Sequence, residues 1–229
     1  MKRIAFALTS LIAIQACTTL KNSTLSSACM GNSQSPNAAI YLHGLDSSEP
    51  GSQELVNRAA LERLATDLNL RIALPRATSL CGEMRCWGWQ TDDSDARSAV
   101  RQIESAISSC ALNGKKVGLI GFSNGGYMVA KLFRSNDFPT IGSGVSWGVA
   151  IGSGMLRGPL EYESKVVKGN LTIIVGTADK GNFDPIQNYF QRLRSRSPNV
   201  QLRTFSGGHE LPYESLLEVA KEYVENGAR

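Results

Sequence analysis

Three residue types far apart in the chain are the ones that could do chemistry together: a serine, a carboxylate and a histidine. Ser123 lies in Gly121-Phe122-Ser123-Asn124-Gly125, directly after the apolar run Lys116–Ile120 and before a helical pattern beginning at Tyr127. A strand that turns sharply into a helix lifts such a serine hydroxyl above the sheet edge. Residues two positions to either side must then be small, which accounts for Gly121 and Gly125. The helix start behind the serine also aims N–H groups at any negative charge that develops there. Gly144-Val145-Ser146-Trp147-Gly148 has the same spacing but continues into Val149-Ala150-Ile151, so it reads as part of a buried strand. Ser123 is the expected nucleophile.

The strand, Gly-x-Ser-x-Gly and helix together resemble the nucleophile elbow of the α/β-hydrolases, in which serine, acid and histidine follow in that order. A serine hydroxyl needs a base to take its proton. The chain has two histidines. His209 follows the strand-like Val200–Phe205 and obeys that order; His43, ahead of the serine, does not. Asp179 lies in the loop leaving the β-branched run Leu171–Val175 and is the expected acid, holding the imidazole and stabilising its charged form. Asp184 is the rival, but Asp184-Pro185 reads better as the N-cap and first turn of a helix. By the same resemblance the oxyanion donors are the backbone N–H groups of Asn124 and Leu45, leaving His43 to shape its turn.

The elements that must position these residues follow from hydrophobic period and punctuation. Strands are predicted near 38–43, 70–74, 116–121, 144–151, 171–176 and 200–205, and helices near 52–68, 92–110, 125–135, 185–196 and 213–226. Alternation of this kind predicts an α/β fold: a mostly parallel sheet of about six strands, helices on both faces and no large lid domain. The longest irregular stretch is 75–91, and the site is expected at the carboxyl ends of the strands.

Leu42-His43-Gly44, Cys86-Trp87-Gly88-Trp89, Gly121-Phe122-Ser123-Asn124-Gly125-Gly126, Gly176-Thr177-Ala178-Asp179 and Gly207-Gly208-His209 occur in the order seen in secreted polyhydroxybutyrate depolymerase-like and feruloyl-esterase-like serine esterases. The resemblance spans about residues 38–210 and implies ester hydrolysis by Ser123, Asp179 and His209. Leu42-His43-Gly44-Leu45 and Gly121-Phe122-Ser123 are also similar to the acyl-protein thioesterase and carboxylesterase group, which leaves the ester open. The alternatives are a thioesterase, peptidase or acyltransferase with the same triad, or a non-catalytic surface lipoprotein on a hydrolase scaffold. Trp87, Trp89, Tyr127 and Phe183 lie near the motif-bearing loops. Each is a candidate wall of an apolar substrate pocket, with packing of its own loop as the alternative.

The first residues read as a targeting segment. Lys2-Arg3 precedes the apolar run Ile4–Ile14, and Ile14-Gln15-Ala16-Cys17 resembles a bacterial lipobox; simple cleavage after Ala16 is the alternative. The expected organisation is a signal peptide over 1–16, a Ser/Thr/Asn-rich flexible tether over 17–37 and a catalytic domain over 38–229. A lipid on Cys17 is the one membrane contact expected, on a periplasmic, outer-membrane or secreted protein. Removing Lys2 and Arg3 from the net charge of +4 leaves +2, too little to argue for nucleic acid. In an oxidising compartment Cys29, Cys81, Cys86 and Cys110 suggest two disulfides, with three pairings open. Their spacing is not that of a zinc site; no metal or cofactor is expected, and a monomer acting on a small or polymeric ester is.

Overall fold

The structure, a computed structural model, describes residues 28–46, 51–88, 93–134, 145–153, 167 and 169–226. Nine strands and five helices run through them. In chain order they are β1 (Ala28–Gly31), β2 (Asn37–Leu42), α1 (Ser52–Asp67), β3 (Arg71–Leu74), β4 (Ser79–Cys81), β5 (Met84–Cys86) and α2 (Asp93–Ser109). They continue with β6 (Lys116–Phe122), α3 (Asn124–Leu132), β7 (Val145–Ile151), β8 (Asn170–Gly176), α4 (Phe183–Arg194), β9 (Val200–Phe205) and α5 (Tyr213–Asn226). Seven strands form one sheet in the order β1-β3-β2-β6-β7-β8-β9, parallel throughout except for β1, which runs antiparallel to β3. The mostly parallel α/β architecture is the one expected, with one more strand in the sheet.

Period two in the strands divides the core. Ile40, Leu42, Leu119, Ala150, Ile173 and Val175 face one side, where α2, α3 and α4 pack. Ala39, Tyr41, Ile120, Phe122, Val149 and Ile174 face the other, against α1 and α5. Two helices answer with a matching stripe: Ile186, Tyr189 and Leu193 on α4, and Leu216, Val219 and Ala220 on α5, are buried. On the second face Tyr41 accepts from Asn57 Nδ2 (3.0 Å) and donates to Glu54 (3.1 Å), tying α1 to the end of β2. Burial first, then the Glu54 charge, pushes the Tyr41 phenol well above its usual range.

Two regions depart from the sequence expectation. The flexible tether expected over 17–37 does not hold from Ala28 onward, where β1 pairs with β3 and Cys29 is bonded to Cys110 at the end of α2. No period of alternation marks so short an edge strand, so its polar surroundings read as a tether. Likewise the irregular stretch 75–91 contains a hairpin, β4 paired antiparallel with β5 and closed by Cys81–Cys86. Of the three open pairings the structure has 29–110 and 81–86. The first closes a long loop and the second a short one, worth about 4–5 and about 2 kcal/mol respectively by loop-closure entropy.

Parallel strands grow outward in both directions from β2 and β6, toward β3 on one side and β7 on the other. Diverging connections leave a crevice at the carboxyl ends of that central pair. Leu42 pairs with Gly121 at the last register position, so His43-Gly44-Leu45 and Ser123 leave the sheet side by side.

Candidate active site

The turn at Ser123 is built by backbone proximity. Ser123 has φ 51° and ψ −115°, a left-handed conformation that L residues avoid, and it is the residue preceding α3. A β-carbon on Gly121 would meet the Gly125 carbonyl oxygen at 2.3 Å, and one on Gly125 would meet the Leu42 carbonyl oxygen at 1.9 Å. Neither position admits any side chain. The conformation is held by Ser123 N–H donating to Ile151 O (2.8 Å) and by Tyr127 N–H donating to Ser123 O (3.0 Å). The Ser123 hydroxyl makes no cap to the helix, so it is not consumed in holding its own turn. The decoy Ser146 lies within β7, as its apolar continuation predicts.

Two strands along, the loops after β8 and β9 bring a carboxylate to an imidazole. His209 Nδ1 lies 2.7 Å from Asp179 Oδ2. The Asp179 side chain is buried, whereas that of His209 is 39% exposed. Asn182, the residue preceding α4, donates from Nδ2 to both carboxylate oxygens at 3.0 and 3.1 Å. Its 3.4 Å approach to His209 Nδ1 sets a donor against a donor, because the Nδ1 proton belongs to the shorter bond with Asp179; it is a contact rather than a third hydrogen bond. Nδ1 thus carries the proton and leaves Nε2 as the acceptor. Asp184, the expected N-cap, sits instead in the first turn of α4, two positions past Asn182, which occupies the capping place.

The imidazole is brought to the serine turn by packing. The His209 ring lies 5.1 Å from the Phe122 ring, beside Ser123 in the chain. Its other contact is Gly152, which follows the Ile151 carbonyl that holds Ser123; a β-carbon there would lie 2.9 Å from His209 Cε1, and φ is +61°. Among the described residues neither Ser123 Oγ nor His209 Nε2 makes a hydrogen bond. Both are left available, and hydrogen bonds of this kind commonly close only when substrate is bound.

The loop after β2 lies on the other side of Ser123. A β-carbon on Gly44 would come within 3.3 Å of Ser123 Cβ. His43 is buried with both ring nitrogens engaged: Nδ1–H donates to Gly44 O (2.6 Å) and Nε2 accepts from Ala77 N–H (3.0 Å). Burial lowers its pKa, against partial opposition from the Gly44 carbonyl and Asp46. Asp46 is also buried, ion-paired with Arg76 at 3.0 Å and accepting from Gly51 N–H at 3.2 Å. Leu45 is exposed, and among the described residues no acceptor takes its backbone N–H or that of Asn124.

The aromatic residues are placed unevenly. Trp87 is 4% exposed and Tyr127 5%, both within the core; the Trp87 indole N–H donates to His43 O at 3.0 Å. Packing, not a pocket wall, is what that placement gives these two rings. Phe183 is half-buried at the start of α4 against the core, and Trp89 lies outside the described residues. Sequence reasoning missed Asn182, Gly152 and Asp46. Asn182, three residues after the acid and just before a helical Phe183-Asp184-Pro185, carries the one signal that could have found it.

The molecule has the α/β-hydrolase fold. No protein-family model matches the sequence, and no curated protein matches it either. Solved structures do. A carboxylesterase from Mesorhizobium loti superposes with a TM-score of 0.61 at 18% identity, covering 84% of this chain and 90% of that one. A Bacillus cereus carboxylesterase gives 0.58 at 16% identity over 90% and 95% of the two chains. The esterase PE8 gives 0.61 at 16% over 86% and 98%. At these identities the likeness establishes the fold.

Proposed function

We propose that the protein is an exported serine esterase that cleaves carboxylic esters through an acyl-enzyme. Ser123 is the nucleophile, His209 the general base and then acid, and Asp179 the residue that orients His209 and stabilises its charged form. The observation that carries the reading is the conjunction of a strained serine at the central crevice with a carboxylate–histidine pair whose free nitrogen is Nε2. Backbone strain of this kind costs about 1–3 kcal/mol and is retained at functional sites. The esterase descriptions of the structural neighbours support the same reaction class.

In the first step Ser123 Oγ bonds to the ester carbonyl carbon while its proton passes to His209 Nε2. The carbonyl oxygen, now negative, takes hydrogen bonds from the N–H groups of Asn124 and Leu45. Collapse breaks the bond to the alcohol, which leaves with the proton from Nε2. Water then adds to the acyl-enzyme by the same route and releases the acid from Ser123. The substrates best matched by the sequence resemblance are hydroxyalkanoate polymers and feruloyl or acetyl esters. Export through residues 1–16, with lipid on Cys17, fits the two disulfides, which persist outside the reducing cytosol.

Ser123→Ala tests the reading. It is expected to lower p-nitrophenyl ester turnover by at least about 10³-fold, leaving only what the oxyanion donors and binding supply, and to abolish covalent labelling by a fluorophosphonate. Undiminished turnover in that variant would sink the proposal. A panel of p-nitrophenyl, feruloyl, acetyl-glycan and hydroxybutyrate esters then assigns the substrate class.

A further inference from the structure

The hairpin β4–β5 and the residues that leave it touch both sides of the crevice, through backbone groups and the Trp87 indole. Arg85 and Asp46 form an isolated antiparallel bridge, with Asp46 N–H donating to Arg85 O (3.2 Å) and Arg85 N–H to Asp46 O (2.6 Å). Trp87, one residue past the Cys81–Cys86 disulfide, spans the two candidate oxyanion donors. Its indole N–H holds the His43 carbonyl (3.0 Å), two residues before Leu45, and its backbone N–H donates to Asn124 Oδ1 (2.6 Å). Asn124 completes the clasp by donating from Nδ2 to Gly88 O (3.3 Å). The Asn124 side chain is therefore directed away from the crevice, onto the two residues that follow β5, and only its backbone N–H is left for a ligand. The Trp87 ring fills the space beneath, 5.2 Å from the His43 ring.

We infer that this disulfide-closed hairpin is the positioning element of the oxyanion hole, with Trp87 and the Asn124 side chain as the positioning residues that set the distance between the N–H groups of Leu45 and Asn124. The inference rests on the esterase reading above and adds to it a requirement the triad does not have. Donors act on the transition state only if they are held where the oxyanion will form, and displacements on the order of 1 Å cost about 10²-fold. The loop after β2 has no regular structure of its own between Leu42 and Asp46. Its place relative to Ser123 is set by bonds from outside: Ala77 N–H to His43, Arg76 and Gly51 N–H to the Asp46 carboxylate, Arg85 to the Asp46 backbone, and Trp87 to the His43 carbonyl. The last two come from the hairpin and the residue following it, and Trp87 alone also reaches Asn124. The disulfide across Cys81 and Cys86 keeps β5, and so Arg85 and Trp87, in one register.

Trp87→Phe retains an aromatic ring and the backbone N–H bond to Asn124, and loses the indole N–H bond to His43 together with part of the buried ring volume. With p-nitrophenyl acetate its kcat is expected to fall about 10-fold, in line with donors displaced by a fraction of an ångström, while KM stays within about two-fold. Affinity for a trifluoromethyl ketone, whose adduct carries the oxyanion, should fall by the same factor as kcat. The double variant Cys81→Ser/Cys86→Ser, which leaves Cys29–Cys110 intact, should show the same pattern more weakly, and Leu80→Ser, an exposed change on the same hairpin, should be silent. If Trp87→Phe does not fold, the cysteine variant decides. Unchanged kcat and ketone affinity, or a rise in KM with kcat unchanged, would overturn the inference while the esterase reading stands. Full turnover by Ser123→Ala would bring down both.

Discussion

The two histidines of this chain occupy opposite extremes of what an imidazole can be given to do. Both lie at the carboxyl end of the sheet, and each follows a strand. His43 is buried, both of its nitrogens are spent on backbone groups of its own and a neighbouring loop, and burial disfavours its charged form. His209 is partly exposed, engages one nitrogen with a buried carboxylate and, among the described residues, leaves the other unengaged. The difference lies in the partner of Nδ1. A carbonyl fixes the ring and asks nothing more of it, whereas a carboxylate also stabilises the imidazolium that a general base must become. Burial of His43 turns the same chemistry into a peg.

That contrast is most sharply broken by exchanging the roles in a measurement. His209→Ala is expected to lower kcat by about 10³-fold, within the range of lost general acid–base catalysis, with folding stability almost unchanged because the ring is exposed. His43→Ala should do the reverse in kind: a stability loss of about 3 kcal/mol, from an orphaned Ala77 N–H and the vacated ring space, seen as a lower urea midpoint. If His43→Ala abolished turnover in a fully folded protein, the peg would have to be promoted to a catalytic residue.

The support of His209 offers a smaller effect. Asn182 holds Asp179 by two hydrogen bonds without touching the reacting atoms. Asn182→Ala is expected to reduce kcat about three- to ten-fold, by loosening the acid that orients the base. A wild-type rate in this variant would mean that Asp179 needs only His209 to hold it.

The smallest effect is a dependence on pH. The folded-state pKa of His43 is lowered, so between that value and the ordinary value of about 6.5 the unfolded chain binds a proton that the folded chain does not. Stability is therefore full above the unfolded value and declines as pH falls through the folded one. Urea unfolding at pH 8 and pH 5 should show a larger loss for wild type than for His43→Asn. Equal losses would show that other groups govern the acid side.

Much of this was legible without coordinates, for reasons that differ from element to element. Central strands such as Leu171–Val175 announce themselves because burial on both faces demands an unbroken β-branched run. The turn at Ser123 is legible because no other residue fits where backbone meets backbone at Gly121 and Gly125. Asp179 and His209 were found by their places at strand ends. The edge strand β1 and the hairpin β4–β5 were missed because short, half-exposed strands carry no hydrophobic period, and four cysteines name no partners. Trp87 was legible as part of Cys86-Trp87-Gly88-Trp89, but its partners His43 and Asn124, dozens of positions away, were not.

What the sequence by itself determined, then, is what local sterics and solvent aversion can encode: which segments are strand or helix, which serine sits in a strained turn, which histidine follows the last strand. Tertiary structure alone decided which partner each engaged histidine nitrogen meets, which cysteines pair, and that Trp87 lies beneath the crevice instead of lining it. Most of those choices depend on distances between residues dozens of positions apart, and they come into existence only when packing of the two faces of the sheet brings the loops to one end.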